Sequence, residues 1–186
     1  MRVIAGAAGG IRLVVPETDV RPTMDRVKAA IFSSLGDRVV NARVLDLFAG
    51  TGALGIEALS RGAASAMFVE ENRAAVLAIE QNFIRTKMRG RVRKQEVFAY
   101  LESARSKERY DIIFADPPYE KTKSGGEFTR LLLENQPLST LLEPDGVFVL
   151  EKRPDEQLIT TVLWRVTRAK KYGATEVLIL EHAGEE

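Results

Sequence analysis

The stretch RVLDLFAGTGALGIEALSRG, Arg43–Gly62, decides the fold. An apolar run carrying one acid, Asp46, breaks into glycines at Gly50, Gly52 and Gly55 and passes into helix-forming residues that stop at Gly62. That is strand, tight turn and helix, the first crossover of a parallel α/β sheet. Reading outward, SAMFVE (65–70) is a second strand and NRAAVLAIEQNFIRTK (72–87) a helix. RVRKQE (91–96) is a weak third strand, VFAYLESAR (97–105) a helix and YDIIFA (110–115) a fourth strand. EFTRLLLENQ (127–136) reads as helix and GVFVLEK (146–152) as a fifth strand. Such alternation implies parallel strands joined by right-handed crossovers, with helices on both faces. The end differs: LWRVTRAKKYGATEVLILEH (163–182) is two strands around Gly173, and so short a connection makes them antiparallel. Upstream, residues 2–5 and 11–15 flank GAAGG as a β-hairpin. A polar link then leads to Thr23 as N-cap of the helix MDRVKAAIFSSLG. The expected organisation is an N-terminal hairpin-and-helix appendage, 1–36, ahead of an α/β domain, 37–186, whose mostly parallel sheet ends in an antiparallel hairpin.

With 186 residues, 45% of them hydrophobic, the chain can bury a core of its own. It has no cysteine and a single histidine, His182, which excludes disulfides and thiolate zinc sites; no metal is expected. No apolar run approaches the roughly 20 residues of a membrane span. MRVIAGAAGG is too short and glycine-broken for a signal peptide, so a soluble, cytoplasmic, monomeric protein is expected. Net charge is +1, yet RTKMRGRVRK (85–94) carries six basic residues and no acid. Arg89 and Arg91 in this cluster are candidates for contact with a polyanion.

Ligands of open α/β sheets bind beyond the carboxyl ends of the strands. Gly50, Gly52 and Gly55 fit G-x-G-x-x-G, and Glu70 ends the next strand about 20 residues on, as in a dinucleotide site. Asp46 opposes that assignment, because a carboxylate feeding the turn repels a pyrophosphate. Two anions at one mouth suit S-adenosylmethionine, which presents an ammonium and a sulfonium. Gly50 and Gly52 then admit the cofactor to the backbone, Asp46 anchors its amino-acid end through the turn, and Glu70 accepts from the ribose hydroxyls. Glu96 is expected at the adenine amino group with Phe98 against the ring. Phe48 and Thr51 in the turn, Glu71 beside Glu70, and Val97 complete the expected cofactor shell.

DPPY, Asp116–Tyr119, follows the fourth strand, which in doubly wound order lies beside the first. An exocyclic amine of a base is a poor nucleophile because its lone pair is delocalised into the ring. If the Asp116 carboxylate and the Pro117 carbonyl accept its hydrogens, the lone pair is aimed at the donor methyl. Pro118 stiffens the loop, and Tyr119 offers a ring on which an unstacked base can lie. The same centre would serve a DNA adenine-N6 methyltransferase, although the chain lacks a second domain to read duplex sequence. A glutamine methyltransferase is disfavoured by Asp116, and a nicotinamide oxidoreductase or non-catalytic nucleotide-binding module by Asp46 with DPPY.

At these residues the chain resembles the Rossmann-like class I S-adenosylmethionine-dependent methyltransferases that act on amines. With RVIAGAAGGIRLVVP, RPTMDRVKAAIF, VLDLFAGTGALGIEALSRGA, FVEENRAAV, DPPY and YGATEVLIL together, it resembles the bacterial 16S rRNA guanine-N2 methyltransferases of the RsmD type over almost its whole length. The resemblance implies methyl transfer to a guanine N2 of the G966 type in small-subunit ribosomal RNA, presented on an assembling subunit. It also implies that the N-terminal hairpin and the segment of Arg21, Pro22 and Thr23 engage the RNA or close over the site. Glu96 departs from the Asp or Asn common at its position in related proteins.

Overall fold

The structure, a computed structural model, describes residues 1–16, 25–104, 108–118, 127–156, 158–159 and 161–184. Seven strands form one sheet: β1 (Arg43–Leu47), β2 (Ser65–Glu70), β3 (Arg91–Lys94), β4 (Tyr110–Ala115), β5 (Leu142–Lys152), β6 (Trp164–Tyr172) and β7 (Thr175–His182). Their order is β3-β2-β1-β4-β5-β7-β6. The first five are parallel to one another, and β7 runs antiparallel between β5 and β6. The expected mostly parallel sheet with an antiparallel end is thus observed, with β4 beside β1.

The helices are α1 (Asp25–Leu35), α2 (Ala53–Ser60), α3 (Arg73–Thr86), α4 (Val97–Ser103), α5 (Glu127–Leu133) and α6 (Gln136–Leu141). Alternation along each strand separates two cores. Val44, Ile112, Phe114, Val149 and Ile179 face α1, α2 and α3 through Phe32, Ile56 and Ile79. Leu45, Leu47, Ile113, Leu150 and Leu178 face α4, α5 and α6 through Leu101, Leu132 and Leu138. Helices therefore cover both faces, as near-continuous apolar runs in parallel strands require.

Several boundaries differ from expectation. The N-terminal hairpin is a single antiparallel bridge, Arg2 to Arg12, extended by bonds from Val3 N to Ile11 O and from Gly10 N to Val3 O. Its backbone is drawn away from ladder pairing by side chains beneath it. Glu57 accepts from Ile4 N and Ala5 N, and Ser60 Oγ donates to Ala5 O. Val3, Ala8 and Leu13 are buried in the same core as α1 and the sheet, so residue 36 marks a change of backbone pattern with no break in packing. The strand β3 ends at Lys94, two residues before Glu96, and β5 begins four residues earlier than Gly146. The short helix α6 was not expected; Asn135 caps it by accepting from Leu138 N, with Pro137 in its first turn. Thr23, the expected cap of α1, lies outside the described residues.

Candidate functional site

At the carboxyl end of β1 the chain turns sharply. Phe48, Gly50 and Gly52 all have positive φ, at 54°, 54° and 74°. A left-handed phenylalanine costs on the order of 1–3 kcal/mol and persists only where its surroundings over-determine it. Here they do. Glu70 at the end of β2 accepts from Gly50 N through Oε2 at 2.8 Å, and from Asn72 N through Oε1 at 2.8 Å. The turn is further closed by Ala49 N donating to Val69 O and Gly52 N to Ala49 O.

Asp46 is buried, and its Oδ2 accepts from Gly55 N at 2.8 Å, joining β1 to the first turn of α2. Burial pushes its carboxyl well above the usual range. The Gly55 N–H works against that shift, while the negative charges of Asp116 and Glu70 add to it. Gly55 is a packing glycine, since a Cβ there would lie 2.3 Å from the Phe68 ring and 3.0 Å from Asp46 Oδ2. The carboxylates of Glu70 and Asp116, at the ends of the strands flanking β1, thus act on Asp46. Asp116 is half-buried, Pro117 buried and Pro118 exposed, directly beyond β4.

Around the same rim, Phe48 meets Phe98 of α4 with ring centroids 6.3 Å apart and Phe128 of α5 at 5.6 Å, while Phe98 and Phe128 are near-parallel at 6.1 Å. Val97 is buried behind Phe98. Glu96 is the N-cap of α4, its carboxylate accepting from Phe98 N at 2.9 Å and Ala99 N at 2.8 Å. Capping satisfies two otherwise orphaned donors, which explains an acid at this position without a ligand. Glu71 is exposed next to Glu70. Thr51 is buried; its Oγ1 donates to Met1 Sδ at 3.5 Å and its carbonyl accepts from Asn82 Nδ2 at 3.0 Å.

The structure therefore gathers Asp46, Phe48, Gly50, Thr51, Gly52, Glu70, Glu71, Glu96, Val97, Phe98, Asp116, Pro117 and Pro118 along one rim. Tyr119, Arg21 and Thr23 lie outside the described residues. Arg89 and Arg91 sit at the amino end of β3, on the opposite rim, because parallel strands share polarity. There Arg91 forms a fork with Glu108 at 3.0 and 3.1 Å. His182 also lies at that far end, stacked on Trp164 at 5.5 Å. No group of three or more metal-ligating side chains occurs among the described residues.

Two participants escaped sequence reasoning. Phe128 was assigned only to a helix, although an aromatic at the start of the helix after DPPY was the available signal. Asn82 lies on the buried face of α3 with Ala75, Ala78 and Ile79. An amide on an apolar stripe is a polar group that needs partners, and it finds Val14 N, Val14 O and Thr51 O.

The conserved hypothetical protein 95 family matches residues 1–181. YlbH of Bacillus subtilis, provisionally named an rRNA methyltransferase, is 38% identical across 99% of this chain and 100% of its own length. The ribosomal RNA small subunit methyltransferase D of Haemophilus influenzae is 32% identical over 93% of this chain and 89% of its own. A solved Escherichia coli structure, yhhF, provisionally named a methyltransferase, superimposes with a TM-score of 0.82 at 32% identity, covering 100% of this chain and 99% of that one. The chain belongs to the conserved hypothetical protein 95 family, the RsmD-type family whose motifs its sequence carries.

Proposed function

We propose that the protein methylates the exocyclic N2 of a guanine, of the G966 type, in 16S rRNA of the small ribosomal subunit, with S-adenosylmethionine as methyl donor. The observation that carries this is the acidic rim. Burial, and then the negative charges of Asp116 and Glu70, raise the proton affinity of Asp46 at the mouth of a glycine turn. A cationic ligand relieves that repulsion, and the pyrophosphate of a dinucleotide aggravates it. The donor set fits: Glu70 keeps lone pairs beyond the two spent on Gly50 N and Asn72 N, and the backbone turn is held open by those bonds. The bound cofactor supplies an electrophilic methyl on a sulfonium leaving group.

The chain's own residues do the rest. Glu70 holds ribose hydroxyls, and Phe98 with Val97 presents an apolar wall to the adenine. Asp46 stays behind the turn, fixing its shape through Gly55 and biasing the mouth toward cations. The Asp116 carboxylate and the Pro117 carbonyl accept the two hydrogens of the guanine amine, which turns its lone pair toward the methyl. The proton leaves after the new N–C bond has formed, so no strong base is required beforehand. Pro118 restricts the loop that carries Tyr119, on whose ring the target base stacks. The protein acts in the cytoplasm as a monomer on the subunit or its assembly intermediate. The described residues include no helix long and apolar enough to cross a membrane.

The test is methyl transfer from labelled cofactor to small subunits purified from a strain lacking this modification, with duplex DNA in parallel. N2-methylguanosine in 16S rRNA is the expected product. Label in DNA adenine and none in rRNA, or tighter binding of NADH than of S-adenosylhomocysteine, overturns the assignment.

A further inference from the structure

The two edge strands of the sheet are both basic: β3 ends at the reactive rim with Lys94, in register with Glu70, and β6 brings a run of basic residues to the same rim. Ala115, Leu150, Leu178 and Ala169 form one row across β4, β5, β7 and β6. Asp116 lies one residue beyond that row on β4, and Lys170 lies one residue beyond it on β6. Lys171 follows, as Pro117 follows Asp116. Three strand spacings separate the two, about 14 Å at 4.8 Å each. Arg168 and Lys170 face the α1 side: Arg168 donates to Ser34 Oγ at 2.8 Å, and the Lys170 ammonium stands 5.5 Å over the Tyr172 ring.

Charge along β6 is graded. At its amino end Arg165 is matched by Glu181 at 3.2 Å, an acid that also serves Arg38. At its carboxyl end the cross-strand neighbour of Lys171 is Glu176, and Glu176 is engaged at 3.0 Å by the buried Lys152. Among the described residues neither Lys170 nor Lys171 has a carboxylate within ion-pair distance. On β6 the basic residues without an ion pair among the described residues thus lie beside the reactive rim, whereas on β3 Arg91 is paired at the far end and Lys94 alone reaches the rim.

We propose that the carboxyl end of β6, with Arg168 and Lys170 on the α1 face and Lys171 on the opposite face of the same edge, is a contact edge for the phosphate backbone flanking the target nucleotide. This rests on the proposed action on RNA. A backbone leaving Asp116 toward β6 would reach the lysines within a few nucleotides, and Tyr172 adds an aromatic face beside the cations. Lysines on an edge strand also deter edge-to-edge association, so the test must separate the two roles.

The experiment measures 16S rRNA binding across a salt series, together with the KM for small subunits, for the wild type, Lys170→Gln/Lys171→Gln, Lys170→Arg/Lys171→Arg and Arg89→Gln/Arg91→Gln. Removing the two lysines should weaken binding about tenfold at moderate salt and flatten the log–log salt slope by roughly 1.4 to 1.8. Arginines at both positions should restore binding, and S-adenosylhomocysteine affinity should stay constant throughout. An unchanged RNA affinity and slope in the Lys→Gln pair overturns the surface, as does a loss seen only in the Arg89/Arg91 pair. Self-association of the Lys→Gln pair by light scattering, with RNA binding intact, shows an edge guard and also overturns it. Wild-type protein that binds cofactor and neither binds nor methylates rRNA defeats the functional assignment, and the surface falls with it.

Discussion

The ammonium of Lys28 lies 3.2 Å from Oε2 of Glu57, and both side chains are fully buried. Glu57 also accepts from Ile4 N at 2.7 Å, Ala5 N at 3.1 Å and Arg61 Nε at 2.7 Å, while Lys28 donates to Arg2 O at 2.5 Å. One carboxylate and one ammonium therefore bind the first residues to α1 and α2. Burial lowers the Lys28 pKa, and Glu57 opposes that shift. Such a pair is a poor source of net stability and a costly one to break.

Glu57→Gln leaves the Lys28 charge buried without its counter-ion and should destabilise the fold by about 3–5 kcal/mol. Urea unfolding measures this. The double replacement Lys28→Met with Glu57→Gln should recover part of the loss, since no charge is then stranded. A single-mutant cost below about 1 kcal/mol would show that water reaches the pair.

Asn82→Ala strips partners from Val14 N, Val14 O and Thr51 O together. A cost of about 2–3 kcal/mol is expected from unsatisfied buried groups. The Val14 amide should lose its protection from hydrogen exchange more than amides in β4. Equal protection in the variant and the wild type would show that the clasp is dispensable.

The raised pKa of Asp46 gives a pH dependence with a definite sign. A carboxyl whose folded pKa exceeds its unfolded value binds more protons when folded, so its contribution to stability is full below the unfolded pKa and is lost as pH rises through the folded one. Relative to Asp46→Asn, which keeps an acceptor for Gly55 N, the wild type should lose stability over that rise. Affinity for the cationic cofactor should increase over the same interval in the wild type and stay flat in the variant. Thermal melts and calorimetric titration between pH 4 and 8 (about two units either side of the midrange) check both. Parallel curves for the two proteins would remove Asp46 from the charge balance of the rim.

Asp116→Ala should cut turnover by at least about a hundredfold while S-adenosylhomocysteine affinity changes little, because a group acting on the amine contributes in the transition state. Single-turnover methylation of small subunits measures the first quantity and calorimetry the second. A rate within a few-fold of wild type would place the amine elsewhere.

Fold class was legible because it rests on local signals. Short, near-continuous apolar runs ending in glycine or acid, followed by period-3.6 stripes, dictate strand-then-helix units. Gly50 and Gly52 take the positive φ that the turn after β1 requires, and Gly55 admits the Phe68 ring against α2. The placement of β4 beside β1 followed from the doubly wound pattern, and the location of the site followed from strand polarity. Chain order alone did not tell what each charged side chain faces. Glu57 and Lys28 sit on helices where charges usually meet solvent, yet both are buried, bonded to the docked backbone of Arg2, Ile4 and Ala5. Glu96 resembles a strand-end ligand residue, yet β3 stops early and the carboxylate turns to cap α4. Arg91 and Lys170 are equally basic in sequence. Three-dimensional placement put one beside Glu108 at the far end of the sheet and the other level with Asp116. Periodicity is a property of neighbours along the chain, whereas desolvation and charge pairing depend on residues brought together from distant segments, so the first was readable in one dimension and the second was settled only by packing.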